Sequence, residues 1–339
     1  MKTLSNEAKA FIAPRASHVA RHAADKSPSR VTRHALPYFP GCALKDQARG
    51  FERAAQAAME RLGYELAELP RWNCCGTVYS LSSDDLMRHV APVRNFIRVQ
   101  ELGERRLVTL CAMCYNTLRR SARFVSTDPE RLQRINAFMD EEPDYAGGVE
   151  VLHLLQLLRD EIGYEEIEAR VERPLYGLKV APYYGCMLLR PREVGIDDPD
   201  RPETMELLFE YLGAEAVDSP HKVECCGAYQ TVANPEIARE RVLEIVGAAA
   251  RRGADLIVTS CPLCTYNLEH HQLSVPGDAS HVTGDKSSTR HALPVTRHVI
   301  PILYFTQLLA FALGAPGEEL GFEQAAVDPR PVLAQRVGG

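Results

Sequence analysis

The chain has 339 residues, 45% of them hydrophobic and 25% charged, with a net charge of −6, which describes a globular protein large enough for two ordinary domains. The acidic balance gives no reason to expect nucleic-acid binding, and no apolar run reaches the ~18–20 residues that span a bilayer. The richest run, from Ile300 to Leu313, contains Gln307 and reads as a buried helix.

Residues 1–36 carry seven Lys or Arg against only Glu7 and Asp25 and lack an apolar secretory core. This composition reads as a basic, flexible N-terminal extension over residues 1–35, with a transit peptide as the other reading. Without an export signal the expected compartment is cytoplasmic and reducing, where ten cysteines point to metal or redox roles more than to structural disulfides.

Along the chain, a β-prone run leads to Cys42, and a helix is expected over 48–62. A loop then carries Cys74, Cys75 and Gly76, a short buried strand follows over 106–110, and Cys111 and Cys114 open a further helix. The same order returns about 150 residues later. A strand from Lys179 leads to Cys186, a helix is expected over 202–212, and Cys225, Cys226 and Gly227 form the loop. A helix over 235–250 and a strand over 255–260 then lead to Cys261 and Cys264. Written as spacing, C-x31-C-C-G-x34-C-x2-C is answered by C-x38-C-C-G-x33-C-x2-C, and no cysteine lies outside the two sets. Flanking residues keep the register: Leu62-Gly63 answers Leu212-Gly213, Val108-Thr109 answers Val258-Thr259, and Gln156-Leu157-Leu158 answers Gln307-Leu308-Leu309. This is an internal duplication. The strand–helix alternation predicts an α/β fold of two repeated units with small, mostly parallel sheets, whose sites lie beyond the carboxyl ends of the strands.

A second, unrelated repeat links the segment from His18 to Pro37 with that from His281 to Pro294. Six of the eleven histidines fall in or just beyond these stretches, which read as solvated loop, with metal binding as the alternative. The expected boundaries are 1–35 for the extension, 36–173 and 174–315 for the two units, an insertion over 274–298 in the second, and a tail over 316–339.

Five cysteines per set leave four chemistries open. Structural zinc takes four ligands and leaves one thiol surplus in each copy; a dithiol active site uses two; adjacent cysteines are badly placed to bond each other. An iron–sulfur cluster engages several thiolates at once. Helix-prone residues behind each C-x2-C present free N–H groups to negative sulfur, and Gly76 and Gly227 permit positive φ next to the paired cysteines.

The two motifs resemble the cysteine-rich (CCG) domain. Their arrangement over residues 36–315, with the closing Ile302-Leu303-Tyr304-Phe305-Thr306-Gln307 segment, resembles the B-type subunit of heterodisulfide reductase. The resemblance implies two such domains related by a pseudo-twofold axis. It implies two non-cubane [4Fe-4S] clusters, one on Cys42, Cys74, Cys75, Cys111 and Cys114, the other on Cys186, Cys225, Cys226, Cys261 and Cys264. Zinc in one half is the alternative that the spacing leaves open. It further implies an oxidoreductase that cleaves or forms a disulfide between two facing clusters in two one-electron steps, with no catalytic residues beyond the ligands. Implied partners are a ferredoxin-like iron–sulfur subunit (C-type), a flavin-containing A-type subunit and a thiol or disulfide substrate. The chain itself has neither a ferredoxin-type C-x2-C-x2-C-x3-C run nor a G-x-G-x-x-G fingerprint, so electrons are expected from a separate subunit. The competing functions are a non-catalytic electron-transfer subunit and a heterodisulfide-reductase-like subunit of sulfur oxidation.

Among other residues, Lys45, Arg49 and Arg190 are candidates to meet an anionic thiol substrate, or are ordinary helix charges. His221 reads as a turn histidine before it reads as a ligand. Trp72 is expected to pack over the loop of Cys74, and Tyr38, Tyr183 and Tyr184 to belong to strand packing.

Overall fold

Each half is built on a four-stranded, all-parallel sheet. A computed structural model describes residues 34–77, 86–274 and 299–337; the basic extension and the His-containing insertion lie almost wholly outside these. The first unit comprises β1 (His34–Phe39), α1 (Arg49–Arg61), β2 (Tyr64–Glu68), α2 (Val90–Glu101), β3 (Arg106–Thr109), α3 (Ala112–Ser126), α4 (Pro129–Phe138) and β4 (Glu150–His153). It closes with α5 (Leu154–Leu157), a π-helical turn over Leu158–Ile162 and α6 (Tyr164–Glu168). The second comprises β5 (Lys179–Tyr183), α7 (Thr204–Tyr211), β6 (Glu215–Ala216), α8 (Pro235–Arg251), β7 (Leu256–Thr259), α9 (Pro262–Leu273), β8 (Ile302–Tyr304) and α10 (Phe305–Ala312). Two short helices, α11 (Gly317–Leu320) and α12 (Arg330–Val337), follow. The strand orders are β2-β1-β3-β4 and β6-β5-β7-β8, so the second sheet repeats the topology of the first. The chain is thus α/β, with the duplication visible in the fold.

Local sequence accounts for these elements. The β7 run Leu-Ile-Val-Thr is buried throughout, as expected of a parallel strand covered on both faces. Along α1, Phe51, Ala54, Ala55, Ala58 and Met59 are buried, which is helical spacing on one face. Asp128 caps α4 by accepting from Glu130 and Arg131 N–H, with Pro129 in the first turn.

One expectation needs correction. The run Ile300 to Leu313 is not helical throughout: Ile302–Tyr304 pairs with β7, Ile257 opposite Ile302. A capping box then starts the helix only at Phe305, the Tyr304 N–H donating to Gln307 Oε1 at 2.9 Å. The same device, His153 N–H to Gln156 Oε1 at 3.0 Å, starts α5 after β4. The short strands β2, β4 and β6 are equally hard to read from sequence, being brief and only partly apolar.

The halves are interlocked by exchange of their closing helices. The α10 helix of the second unit covers α1 of the first. Phe51 stacks on Tyr304 with ring centroids 4.2 Å apart and meets Phe305 edge-on, and Thr306 Oγ1 donates to the Phe51 carbonyl at 3.0 Å. On the other side, α6 of the first unit packs on α7 of the second, with Tyr164 OH donating to the Thr204 carbonyl at 2.8 Å. One hydrophobic core runs through both. Residues 317–337 also reach back, Gln324 accepting from Gly50 N–H at 2.6 Å. Among the described residues no helix is long and apolar enough to cross a membrane.

Because Phe51 is fully buried at this exchange, Phe51→Ala should destabilise the whole chain by about 3–5 kcal/mol. Denaturant unfolding should show one transition shifted as a unit, whereas two separated transitions would show that the halves fold independently.

Candidate metal centre

Both sheets end at their cysteines. Cys42 follows β1 and opens a 3-10 turn over Ala43–Lys45; Cys111 is the N-cap of α3, directly after β3; Cys114 lies in its first turn. Cys186 follows β5, and Cys261 and Cys264 hold the same places on α9. Cys74-Cys75 and Cys225-Cys226 lie in loops after β2 and β6, each followed by a glycine with φ of +77° or +80°.

The side chains meet in one continuous line of sulfurs. Cys42 and Cys74 are 3.9 Å apart; Cys74 touches Cys75, Cys75 touches Cys114, and Cys114 touches Cys111. In the second set, Cys186 touches Cys225, which touches Cys226; Cys226 and Cys264 are 3.5 Å apart, and Cys264 touches Cys261. Cys111 and Cys261 also interact with each other. All ten cysteines therefore form a single string, mirrored about its midpoint between the halves. At that midpoint the Ala112 N–H donates to the Ser260 carbonyl at 3.0 Å.

Glycine makes this crowding possible. Gly41 sits at φ +72°, and a Cβ there would lie 2.8 Å from Cys114 Sγ. Gly185, at φ +65°, would place one 3.3 Å from Cys264 Sγ. Both positive φ values favour glycine, and at Gly41 a Cβ would also be too close to the sulfur.

The thiols titrate against one another. Hydrogen bonds from Cys114 and Cys74 pull Cys75 down to about 3, and those from Cys114 and Cys261 pull Cys111 well below the thiol range. A bond from Cys186 pulls Cys225 down to about 2. Their neighbours go the other way: Cys114 is raised by its bonds to Cys111 and Cys75, and Cys264 by those to Cys226 and Cys261, with burial adding to both. Binding a cationic centre would release the protons that these thiols carry.

Beneath Cys111 lies His153, fully buried. Its Nε2 donates to the Leu110 carbonyl at 2.7 Å and its Nδ1 accepts from Leu155 N–H at 3.2 Å, so both ring nitrogens are satisfied in the neutral form. Trp72 packs edge-on to Phe39 and donates to Glu68 at 2.9 Å. Tyr183 OH donates to the Glu224 carbonyl at 2.6 Å, pinning the loop before Cys225. Tyr184 OH donates to Glu206, which Lys222 neutralises at 2.7 Å.

The three cationic candidates for substrate contact are engaged within the protein. Lys45 bridges Glu52 and Glu68 at 2.7 and 2.6 Å, Arg49 donates to the Lys45 carbonyl, and Arg190 donates to the Val223 and Pro199 carbonyls. His221 sits 3.1 Å from Glu224.

Burial pushes the His153 pKa from 6.5 down to about 3, against the upward pull of its bond to Leu110. Below pH 6.5 the unfolded chain takes up a proton that the fold refuses. Stability should therefore fall as pH drops from about 6.5 towards about 3, by about 1.4 kcal/mol per pH unit from this residue. Denaturation of His153→Gln across that window should give a shallower slope; equal slopes would overturn the assignment.

The cysteine-rich domain family, CCG, matches residues 36–119 and again 180–269. The 8-methylmenaquinol:fumarate reductase membrane anchor subunit of Wolinella succinogenes is 31% identical over 293 residues, 86% of this chain and 96% of that one. The B-type subunit of the ferredoxin/F(420)H(2)-dependent CoB-CoM heterodisulfide reductase of Methanosarcina acetivorans is 32% identical over 305 residues, 88% and 96% of the two chains. A solved structure of a hypothetical protein from Helicobacter pylori superposes with a TM-score of 0.64 at 14% identity, a likeness of fold; it covers 87% of this chain, which spans about half (53%) of that one. With both halves matched and near-full-length relatives at this identity, the chain belongs to the tandem cysteine-rich family that includes the B-type subunit of heterodisulfide reductase, a family of iron–sulfur redox subunits.

Proposed function

We propose that the chain is the subunit of a redox complex that reduces a disulfide, or oxidises a dithiol in reverse, at two non-cubane [4Fe-4S] clusters held by the two five-cysteine sets. The observation that carries this reading is the continuous sulfur line with Cys111 and Cys261 in contact at its centre. The donor set fits the group. Each set supplies five thiols, and Gly41 and Gly185 leave a cradle that a Cβ would fill. The buried hydroxyls of Thr109 and Ser260, each beside the interface cysteines, have no partner among the described residues.

The protein's contribution is placement and charge. Cys111 and Cys261 stand at helix N-termini without a side-chain cap, so backbone N–H groups are directed at negative sulfur. Cys42, Cys74 and Cys225 are exposed while the C-x2-C thiols are buried, which opens the outer ends of the line and shields its middle. Bound clusters would supply electrons singly, two of them for one disulfide. Those electrons come from a separate subunit carrying ordinary iron–sulfur clusters, and the cytoplasm is the reducing compartment that suits the thiols.

A second reading, quinol-linked electron relay without disulfide chemistry, is favoured by the Wolinella relative, whose name makes it a subunit of a menaquinol:fumarate reductase. The two separate experimentally. Anaerobically reconstituted protein should hold about eight irons per chain, and adding a small thiol or disulfide should alter its paramagnetic resonance spectrum; an unchanged spectrum would leave relay as the function. Gly41→Ala should lower iron to roughly half by displacing Cys114, with Gly185→Ala milder because its contact is longer. Full iron content in Gly41→Ala would remove Cys114 from the ligand set.

A further inference from the structure

The halves repeat closely enough for their differences to be compared position by position. Setting Cys111 against Cys261 places Tyr115 opposite Thr265, Arg119 opposite Glu269 and, at the ends of β4 and β8, His153 opposite Tyr304. On the second side these positions build a polar column. Thr265 and Glu269 follow Cys261 at successive four-residue steps on one face of α9. Thr265 Oγ1 lies 2.6 Å from Thr259 Oγ1 and 3.2 Å from the Cys261 carbonyl, and Tyr304 shares a side-chain hydrogen bond with it. Thr265, Glu269 and Tyr304, with Gln47, Gln307 and Gln324, line a cavity of about 40 Å³, room for a water or two.

On the first side the column is closed. Tyr115 OH is committed to the Val194 carbonyl at 2.8 Å, both nitrogens of His153 are taken, and a cation, Arg119, replaces the carboxylate. The asymmetry extends to the backbone: Ala112 donates across the interface to Ser260, whereas Pro262, its counterpart, has no N–H to return.

We propose that Glu269, Tyr304 and Thr265 form the proton route from solvent to the space between Cys111 and Cys261. The inference rests on the disulfide reading. In RSSR′ + 2e⁻ + 2H⁺ → RSH + R′SH the S–S bond breaks, two electrons arrive singly from an iron–sulfur donor subunit, and each released sulfur takes a proton. Those protons have to reach a centre whose inner thiols are buried. The three residues are positioning residues, passing protons through one another and enclosed water. Around Glu269 the packed elements present Gln47 before α1, Tyr304 and Gln307 from β8 and α10, Gln324, and the Ala326 N–H, which donates to Glu269 Oε1 at 2.9 Å. Tyr304 is the titratable member of that set. With no charge countering it among these, burial pushes the Glu269 carboxyl up to about 7, where it exchanges protons at neutral pH.

The test uses the full-length, cluster-loaded chain with reduced methyl viologen as one-electron donor and the disulfide of 2-mercaptoethanol as probe. In the unmodified protein kcat should fall as pH rises through about 7, as Glu269 ionises. Glu269→Gln should lose this limb and lower kcat by roughly 10²-fold with KM retained. Tyr304→Phe, which keeps the ring on Phe51, should lower kcat similarly, and the mirror substitution Arg119→Gln should change neither. Independently of turnover, the cluster midpoint potential followed by paramagnetic resonance should decline with rising pH through about 7, and Glu269→Gln should abolish that decline. Turnover with unchanged pH profiles and potentials in Glu269→Gln and Tyr304→Phe overturns the route alone. Unmodified loaded protein that reduces no disulfide overturns the disulfide reading and the route together.

Discussion

The string of ten sulfurs depends on one contact, where the carboxyl edges of the two sheets meet and Ala112 N–H reaches the Ser260 carbonyl. That bond fixes the distance between the starts of α3 and α9, and with it the approach of Cys111 to Cys261. Thiols this crowded repel one another as soon as more than a few are ionised. Hydrogen bonds between the sulfurs pull some thiols down, Cys75, Cys111 and Cys225 among them, and push their neighbours up. Left to themselves the two sets would drift apart; the exchanged helices α10 and α6, packed on α1 and α7, keep the edges pressed together.

Much of this was legible in the sequence. Strict cysteine spacing and the register of Leu62-Gly63 with Leu212-Gly213 betray the duplication, and Val-Thr before each C-x2-C marks the strands that deliver the inner thiols. The positive φ at Gly76 and Gly227 is the freedom that glycine permits there. What escaped detection is physically explicable. The strands β2 and β6 lie at sheet edges with exposed residues, so they carry no continuous apolar run. β8 blends into α10 because both are buried, and only the Tyr304–Gln307 box divides them. The partners of Lys45, Arg49 and Arg190 were not legible for another reason: a charge count along a helix says nothing of the carboxylates and carbonyls that three-dimensional packing brings to meet it.

Comparing the halves also changes how individual residues are read. His153 and Tyr304 start equivalent helices with equivalent capping boxes, yet one is sealed and neutral while the other faces a polar cavity. Tyr183 anchors the second paired-cysteine loop through the Glu224 carbonyl. Its counterpart Phe39 has no hydroxyl and packs on Trp72 instead. The first cysteine set is therefore framed by aromatic rings, and the second by hydroxyls and a carboxylate. Two cysteine sets of the same pattern are thereby given different surroundings, the means by which a protein can set the potentials of bound groups apart.

The exchange of closing helices has a consequence for how such a chain could arise. A single unit would leave its first helix uncovered and its closing helix without a seat, and two identical copies would satisfy both by swapping ends around a twofold axis. In that arrangement every position on one side must equal its partner, so an Ala112 could never face a Pro262, nor a His153 a Tyr304. Joining the copies in one chain removes that identity constraint while the swapped packing keeps them inseparable. Left and right could then diverge without either being lost.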